Sequence, residues 1–214
     1  DALRRRAMFE KLVTDISTHF INLSSDRLDH SITTALKKMG KFAGVDRSYV
    51  FLYSGAGRSM NYTHEWCAAG IDPQLERMKG IDILQKFPWF ARQIKSKRVV
   101  YLPRTDDLPE EAATEKVEFR AQGIQSMINV PMVAGGKVMG FLGFDSVRHQ
   151  MQWPEEIISL LKIVGEILAN ALTRGAAEVA LRASEKKYRE LADLLPQIVF
   201  ETDTEGNLTF ANRQ

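Results

Sequence analysis

The chain has 214 residues, of which 44% are hydrophobic and 26% charged, and its formal net charge is +2. This length and composition are typical of one globular domain of about 150 residues with additional segments, and the near-neutral charge does not favour a nucleic-acid partner. No window approaches the ~18 apolar residues of a membrane span, no signal-type apolar core begins the chain, and a single cysteine excludes an intrachain disulfide, so we expect a cytoplasmic location with no membrane segment in these residues.

The beginning of the chain predicts two amphipathic helices. Apolar residues recur every three or four positions over the first twenty residues, from Phe9 to Phe20. A second apolar stripe begins after the capping residues 24–26 and ends near Gly44. We expect both helices to pack on one face of a sheet.

Two β-prone runs follow, over residues 48–53 and 60–68, with a turn over 54–57 between them. The segment 70–88 then loses periodicity at its glycines and prolines, and a loop of this length in a compact domain is more often functional than idle. After this segment, the sequence predicts a short helix over 88–94, a strand over 98–102 and a helix over 109–121.

The second of the β-prone runs contains a histidine and the only cysteine. Two-residue alternation predicts that Tyr62, His64 and Trp66 share one face, with Glu65 and Cys67 on the other. Because the histidine then points away from the cysteine, we expect no metal site from these residues.

Residues 123–146 carry the most informative pattern, two apolar β-prone runs joined by a tight turn at Ala134-Gly135-Gly136. Pro131 donates no amide hydrogen and is expected at an edge or a bulge. The gaps left by Gly140 and Gly143 have two explanations, close packing or the approach of a ligand.

A long helix is predicted next. Its start signal is Trp153-Pro154-Glu155-Glu156, and helical spacing continues through Gly175 to Leu195. Seven-residue spacing, as between Leu172 and Val179, leaves open whether this helix forms a parallel two-helix connector with a second copy.

The pattern I-x-S-x-x-x-V-P-[apolar], followed by G-G-K-[apolar]-x-G-[apolar]-x-G-[apolar]-D, resembles the last two strands of a GAF domain, the small-molecule sensory module of bacterial and archaeal signalling proteins. The resemblance implies an α+β fold in which a central antiparallel sheet of five to six strands is flanked by helices, with long N- and C-terminal helices.

Residues 188–214 are similar to the opening of a PAS domain, with an entry helix, strands over 198–202 and 208–211, and a turn over 203–207. A PAS fold needs roughly 100 residues to bury a core, so we expect a truncated start of such a domain and a longer parent protein. The predicted boundaries are an N-terminal signalling or dimer helix over 1–23, a GAF domain over 24–174, a helical linker over 175–195 and the PAS start over 196–214.

The GAF resemblance also implies a ligand cavity between the sheet and the segment 70–102. The predicted wall and orienting residues are Tyr62, His64, Trp66, Phe87, Trp89, Phe90, Ser126 and Asn129. The alternative for the aromatic residues is ordinary core packing that fills the cavity.

The ligand stays unknown at this point. The cyclic-nucleotide signature of the family cannot be placed on the sequence, and Cys67 lies on an early strand rather than before a histidine in the late loop that attaches bilins. Reduction of methionine sulfoxide requires further cysteines, and the common phosphate-loop, dinucleotide, hydrolase and zinc-protease motifs are missing. We therefore expect no covalent bilin, no metal or nucleotide cofactor and no catalytic residue in these residues.

The sequence thus predicts a regulatory module of a signal-transduction protein, which binds a small molecule or forms a homodimer through its terminal helices, or does both. It would control downstream PAS and output domains in the same chain, with a sensor histidine kinase of a two-component system as the implied parent and a diguanylate cyclase or phosphodiesterase next. The rivals are a ligand-free dimerisation or scaffold domain and, third, an enzyme that uses Cys67.

Overall fold

A computed structural model describes residues 2–54 and 59–212 of the chain. The predicted turn over 54–57, apart from Ser54, and the last two residues of the predicted PAS start lie outside the described residues. The chain divides into two compact units, Asp1–Thr173 and Arg174–Gln214.

The first unit is a single sheet with helices. Its helices are α1 (Ala2–Ile21), α2 (Leu28–Ala43), α3 (Ile83–Lys86), α4 (Pro88–Lys95), α5 (Ala113–Ala121) and the first part of α6 (Glu155–Asp193). Its strands are β1 (Arg47–Ser54), β2 (Ser59–Cys67), β3 (Ile81–Asp82), β4 (Val100–Leu102), β5 (Ser126–Ala134) and β6 (Lys137–Ser146). They pair antiparallel as a six-stranded sheet in the order β3-β2-β1-β6-β5-β4, which confirms the predicted α+β architecture.

The β5–β6 hairpin forms as predicted. Gly135 and Gly136 make the two-residue turn with φ of 56° and 78°, the left-handed conformation that such a turn requires. β4 pairs with β5 only from Met127 to Asn129, so Pro131 lies beyond that pairing, at an edge of the sheet.

One face of the sheet, which we call the helix face, packs against α1, α2 and α6. Ile32 of α2 and Leu161 of α6 are fully buried in the same apolar cluster as Val50, Val130 and Leu142 of the strands. The prediction that the first two helices pack on one sheet face is confirmed. The opposite face, the cavity face, is covered by the segment 70–102, the covering segment, together with α5.

The long helix α6 has 39 residues and continues through Gly175, as the sequence predicts. In the second unit, β7 (Phe200–Thr202) and β8 (Leu208–Ala211) pair antiparallel, and the Tyr188 and Phe210 rings lie 6.3 Å apart. The two strands predicted for the end of the chain are therefore formed. Among the described residues, none of the helices combines the length and the apolar character needed to cross a bilayer.

Candidate functional site

A row of stacked aromatic rings crosses the cavity face. The ring of Phe51 in β1 lies 4.1 Å from that of Tyr62 in β2 and 4.8 Å from that of Phe141 in β6. The strand register pairs Phe51 with both residues, so the stack follows from the order of the strands. Phe90 of α4 meets Phe141 edge-on at 4.9 Å, which joins the covering segment to the row.

Between this row and the covering segment lies a cavity of about 40 Å³. Apolar and aromatic side chains make most of its wall, and the polar residues are few. The lining residues are Tyr49, Phe51, Met60, Tyr62, Met78, Phe87, Phe90, Phe119, Gln122, Ile124, Met127, Asn129, Phe141 and Asp145. An apolar cavity of about 150 Å³ holds one benzene, so this one has room for water or for a group of a few atoms. A larger ligand requires the covering segment to move.

The floor of the cavity contains a buried ion pair. Arg47 and Asp145 are register partners on β1 and β6, and Arg47 Nε lies 3.6 Å from Asp145 Oδ2. The Tyr49 hydroxyl donates a hydrogen bond of 2.6 Å to Asp145 Oδ1, and Arg47 Nη2 donates one of 3.1 Å to the backbone carbonyl of Gln122. Both charged side chains are removed from water, with 1% and 5% exposed, so each depends on the other for compensation.

Burial determines the protonation of Asp145 and Tyr49. It raises the pKa of Asp145 to about 6, although Arg47 and the Tyr49 hydroxyl act in the opposite direction. Burial also raises the pKa of Tyr49 well above its ordinary value, and the neighbouring Asp145 raises it further. Tyr49 therefore keeps its proton at neutral pH and remains the donor to Asp145.

We expect the contribution of Asp145 to the free energy of unfolding to fall as pH rises. The unfolded chain releases this proton near 3.8, whereas the folded chain holds it up to about 6, so folding takes up a proton between these values. The stabilising contribution is complete below about pH 4 and is lost as pH rises through about 6. A carbon-13 NMR titration of the Asp145 carboxyl tests this, and a midpoint below that of a free aspartate would contradict it.

Asn129 reaches the cavity through a gap that Gly143 leaves in the neighbouring strand. A Cβ on Gly143 would lie 1.9 Å from Asn129 Oδ1, so the glycine makes room for the amide. The Asn129 side chain is fully buried beside Tyr49, and its amide lies close enough to the Tyr49 hydroxyl to lower the pKa of Tyr49. Neither Oδ1 nor Nδ2 makes a well-aligned hydrogen bond among the described residues. A buried polar atom without a partner costs about 1–3 kcal/mol, which indicates a place for a polar partner in the cavity.

We expect Asn129→Leu to raise the free energy of unfolding by about 1–3 kcal/mol, because leucine fills a similar volume and removes two unpaired polar atoms. Urea unfolding at neutral pH measures the change, and an unchanged m-value would show that the unfolded state is the same. Asn129→Ala is the matched control that removes the same amide and leaves a void. A lower stability of Asn129→Leu would mean that the amide already has a partner in the protein.

The predicted site residues divide between the cavity and other places. Tyr62, Phe87, Phe90 and Asn129 line the cavity. The prediction that His64 and Trp66 share a face with Tyr62 is wrong. They belong to the opposite side of the sheet.

A β-bulge causes this difference. Val50 pairs with His64, but the next residue, Phe51, pairs with Tyr62, so Thr63 is an extra residue and the alternation shifts by one. His64 consequently turns to the helix face.

On that side His64 Nε2 lies 3.1 Å from Asp29 Oδ1 of α2. Trp66 packs so closely against Gly40 of α2 that a Cβ there would lie 2.3 Å from its ring. Both residues therefore join the sheet to α2.

Trp89 and Ser126 also lie away from the cavity. Trp89 is half-buried at the margin of the cavity-face cluster. The Ser126 hydroxyl donates to the Pro103 carbonyl and accepts from the Met151 N–H, so it fastens two loops to the start of β5. Their contacts are structural.

Two glutamates fasten the covering segment to its surroundings. Glu65 of β2 accepts the backbone N–H groups of Gln74 at 3.0 Å and Leu75 at 3.1 Å, and also the Tyr62 hydroxyl at 2.9 Å. It therefore ties a lining residue of the cavity to the start of the covering segment.

Glu115 of α5 holds the other part of this segment. Its Oε1 accepts the backbone N–H groups of Trp89 at 2.7 Å and Phe90 at 3.1 Å, in the first turn of α4. A carboxylate at this position satisfies N–H groups that have no partner within the helix and interacts favourably with the helix dipole. Glu115 itself is fully buried.

Cys67 is poorly suited to nucleophilic chemistry. Burial and, to a smaller extent, the nearby Glu65 raise its pKa to about 12, so the thiol is neutral at pH 7. Within the described ranges, no three His, Cys, Asp or Glu side chains are grouped so as to hold a metal ion.

Residues 27–172 match the family model of the GAF domain. A curated relative, the methanogenesis regulatory histidine kinase FilI of Methanothrix harundinacea (strain 6Ac), is 25% identical over 170 residues. The matched region covers 76% of this chain but 18% of that protein, so the chain spans less than a fifth of its relative.

Solved structures with the same fold include domains of phytochromes. The chromophore-binding domain of an unusual bacteriophytochrome from R. palustris has a TM-score of 0.67 at 14% identity, covering 82% of this chain and 63% of that one. The phycoerythrobilin-bound GAF domain of a cyanobacterial phytochrome has a TM-score of 0.65 at 16% identity, and the match covers 79% of this chain and 97% of that one.

A domain of a putative two-component sensor histidine kinase from Sinorhizobium meliloti 1021 has a TM-score of 0.55 at 21% identity, covering 72% of this chain and 97% of that one. At these identities the likenesses show the fold alone.

Proposed function

The chain belongs to the GAF domain family, and from that premise we propose that it is the small-molecule sensor domain of a larger signalling protein. The observation that carries the proposal is the Asn129 amide, which is fully buried, lines a cavity and makes no well-aligned hydrogen bond among the described residues. A ligand-free scaffold would gain stability from an apolar residue at this position. This favours the sensor over the scaffold.

The sheet offers a direct route from the ligand to the exit helix. Asn129 faces the cavity, while the next residue, Val130, lies on the helix face, where its Cγ2 is 3.6 Å from the position of a Cβ on Gly165 of α6. A ligand that binds best when the covering segment has moved shifts the population towards that state, and β5 passes the change to α6.

Denaturing mass spectrometry of the purified domain, followed by a thermal-shift screen of the compounds found, tests the sensor. We expect a retained small molecule that raises the melting temperature of the unmutated domain. The Asn129→Leu variant is expected not to retain this molecule. At a ligand concentration of 100 Kd the stabilisation is about 2.7 kcal/mol, which such a screen detects. Failure to find any stabilising compound, together with an apolar core packed without space, would favour the scaffold.

We propose a histidine kinase as the parent protein, with residues 196–214 as the start of a PAS domain between sensor and output. The support is the kinase relative from Methanothrix harundinacea and the antiparallel β7–β8 pair, whose intervening Asp203 accepts N–H groups of Glu205 and Asn207. Autophosphorylation of the full-length protein with and without the retained compound is the test. Cyclic-dinucleotide synthesis or hydrolysis without autophosphorylation would indicate the cyclase or phosphodiesterase alternative.

We also propose a homodimer through the terminal helices. Val179 of α6 is 57% exposed and lies seven residues after Leu172 in the sequence, which is the spacing of a paired two-helix connector. Val179→Asp is expected to convert the dimer to monomer at a concentration where the parent is dimeric, as measured by light scattering. Lys187→Gln is the control on the same helix. A monomeric parent at high concentration would contradict the proposal.

A further inference from the structure

The described lining of the cavity contains no uncompensated charged side chain that could pair with an ionic ligand. Asp145 is the one charged residue among its described lining residues, and Arg47 compensates it from behind the floor. An anion or cation in this cavity would be buried without a counter-charge, which is strongly unfavourable. A ligand that enters this site is therefore neutral.

Asn129 offers the cavity both a hydrogen-bond donor and a hydrogen-bond acceptor. The Asn129 amide presents a donor, Nδ2, and an acceptor, Oδ1, side by side. Although the amide lies near the Tyr49 hydroxyl, neither atom makes a well-aligned hydrogen bond among the described residues. Their complement is a group that also carries a donor beside an acceptor, as a primary amide, a lactam or a urea does. This complement is the same whichever way round the Asn129 nitrogen and oxygen are placed.

The walls favour a flat molecule. The stacked rings of Tyr62, Phe51 and Phe141 form one side, and Phe90 presents its edge from the covering segment. Because Tyr62 and Phe141 already cover the two faces of Phe51, a planar group beside the row meets ring edges, which is the edge-to-face contact that aromatic groups prefer. A bulky saturated group would have to separate them.

We infer that the ligand of this site is a neutral, planar molecule with an amide or lactam edge that pairs with Asn129. The inference rests on the proposed sensor function and specifies its ligand class. It assigns Asn129 as the residue that selects the ligand and the aromatic row as the surface that holds its ring.

Three probes with the same ring separate the contributions: benzamide, acetophenone, which lacks the donor, and benzoate, which carries a charge. Each is titrated into the domain labelled with nitrogen-15, and the side-chain NH₂ signal of Asn129 reports contact. We expect benzamide to shift this signal, and acetophenone and benzoate to bind at least about tenfold more weakly. Asn129→Leu is expected to weaken benzamide binding by about tenfold or more, while Met132→Leu, an apolar exchange on the helix face of the same strand, leaves it within about threefold.

The outcomes distinguish this inference from the function on which it rests. Equal affinity for benzoate and benzamide, or an unmoved Asn129 signal with all three probes, overturns the amide-edge inference. So does a co-purified ligand that is charged or has no amide-like edge, but such a ligand leaves the sensor function intact. The sensor function falls only if the unbiased search for a retained compound also finds none.

Discussion

Replacing Asp145 by leucine is expected to lower the free energy of unfolding by about 3–5 kcal/mol at pH 8, where the carboxyl is ionised. The variant leaves the Arg47 guanidinium buried, with 1% of its side chain exposed and no carboxylate beside it. It also removes the acceptor of the Tyr49 hydroxyl. Urea unfolding measures the loss.

The double variant Arg47→Met with Asp145→Leu is expected to regain most of that loss, because it removes both charges from the interior together. The remaining deficit is that of the Tyr49 hydroxyl, which lacks its acceptor in both variants. The exposed pair between Arg120 and Asp106 supplies the control, since Asp106→Leu leaves an arginine that water solvates. If the single and double variants were equally unstable, the pair would not be coupled and the cavity floor would have another basis.

Much of the fold could be predicted because its signals are local. The turn glycines Gly135 and Gly136 and the apolar periodicity of α1, α2 and α6 depend on neighbours in sequence, and the structure follows them closely. The predicted strand pairs appear within one or two residues of their predicted ends, apart from the short β3, which falls within a stretch that the sequence predicts to be irregular.

The site was harder to predict because it depends on register. Arg47 and Asp145 meet only because β1 pairs with β6, and no local pattern announces that pairing. The bulge at Thr63, which turns His64 away from the cavity, likewise depends on the position of β1. Ser126 and Asn129, by contrast, are three residues apart on one strand, so alternation alone places them on opposite faces.

The position of Asn129 in the cavity wall could be predicted from its local sequence. An amide within an apolar strand is a local anomaly, and it remains one after folding, because the side chain makes no well-aligned hydrogen bond among the described residues. Tyr49 and Phe51 were missed although alternation along β1 aligns them with Arg47. The aromatic residues of that strand indicate a β-strand, but by themselves they do not show which of them line a cavity.

The second large effect concerns the covering segment. Glu115→Ala is expected to lower the free energy of unfolding by about 2–4 kcal/mol, because the backbone N–H groups of Trp89 and Phe90 lose a buried acceptor at the start of α4. Hydrogen exchange of residues 89–95 should accelerate more than exchange in β5, since the covering segment loses its attachment to α5 before the sheet opens.

Two matched variants decide whether this effect belongs to the attachment. Glu115→Gln keeps an acceptor oxygen and should lose clearly less stability than Glu115→Ala, whereas Glu111→Ala removes an exposed partner of Arg92 and should change it by about 0.5 kcal/mol or less. Unchanged exchange over residues 89–95 in Glu115→Ala would contradict the anchoring role. The cavity of about 40 Å³ admits a larger ligand only when the covering segment moves. Glu115→Ala should therefore also increase the rate of ligand entry. A loss of stability elsewhere in the sheet would not increase this rate.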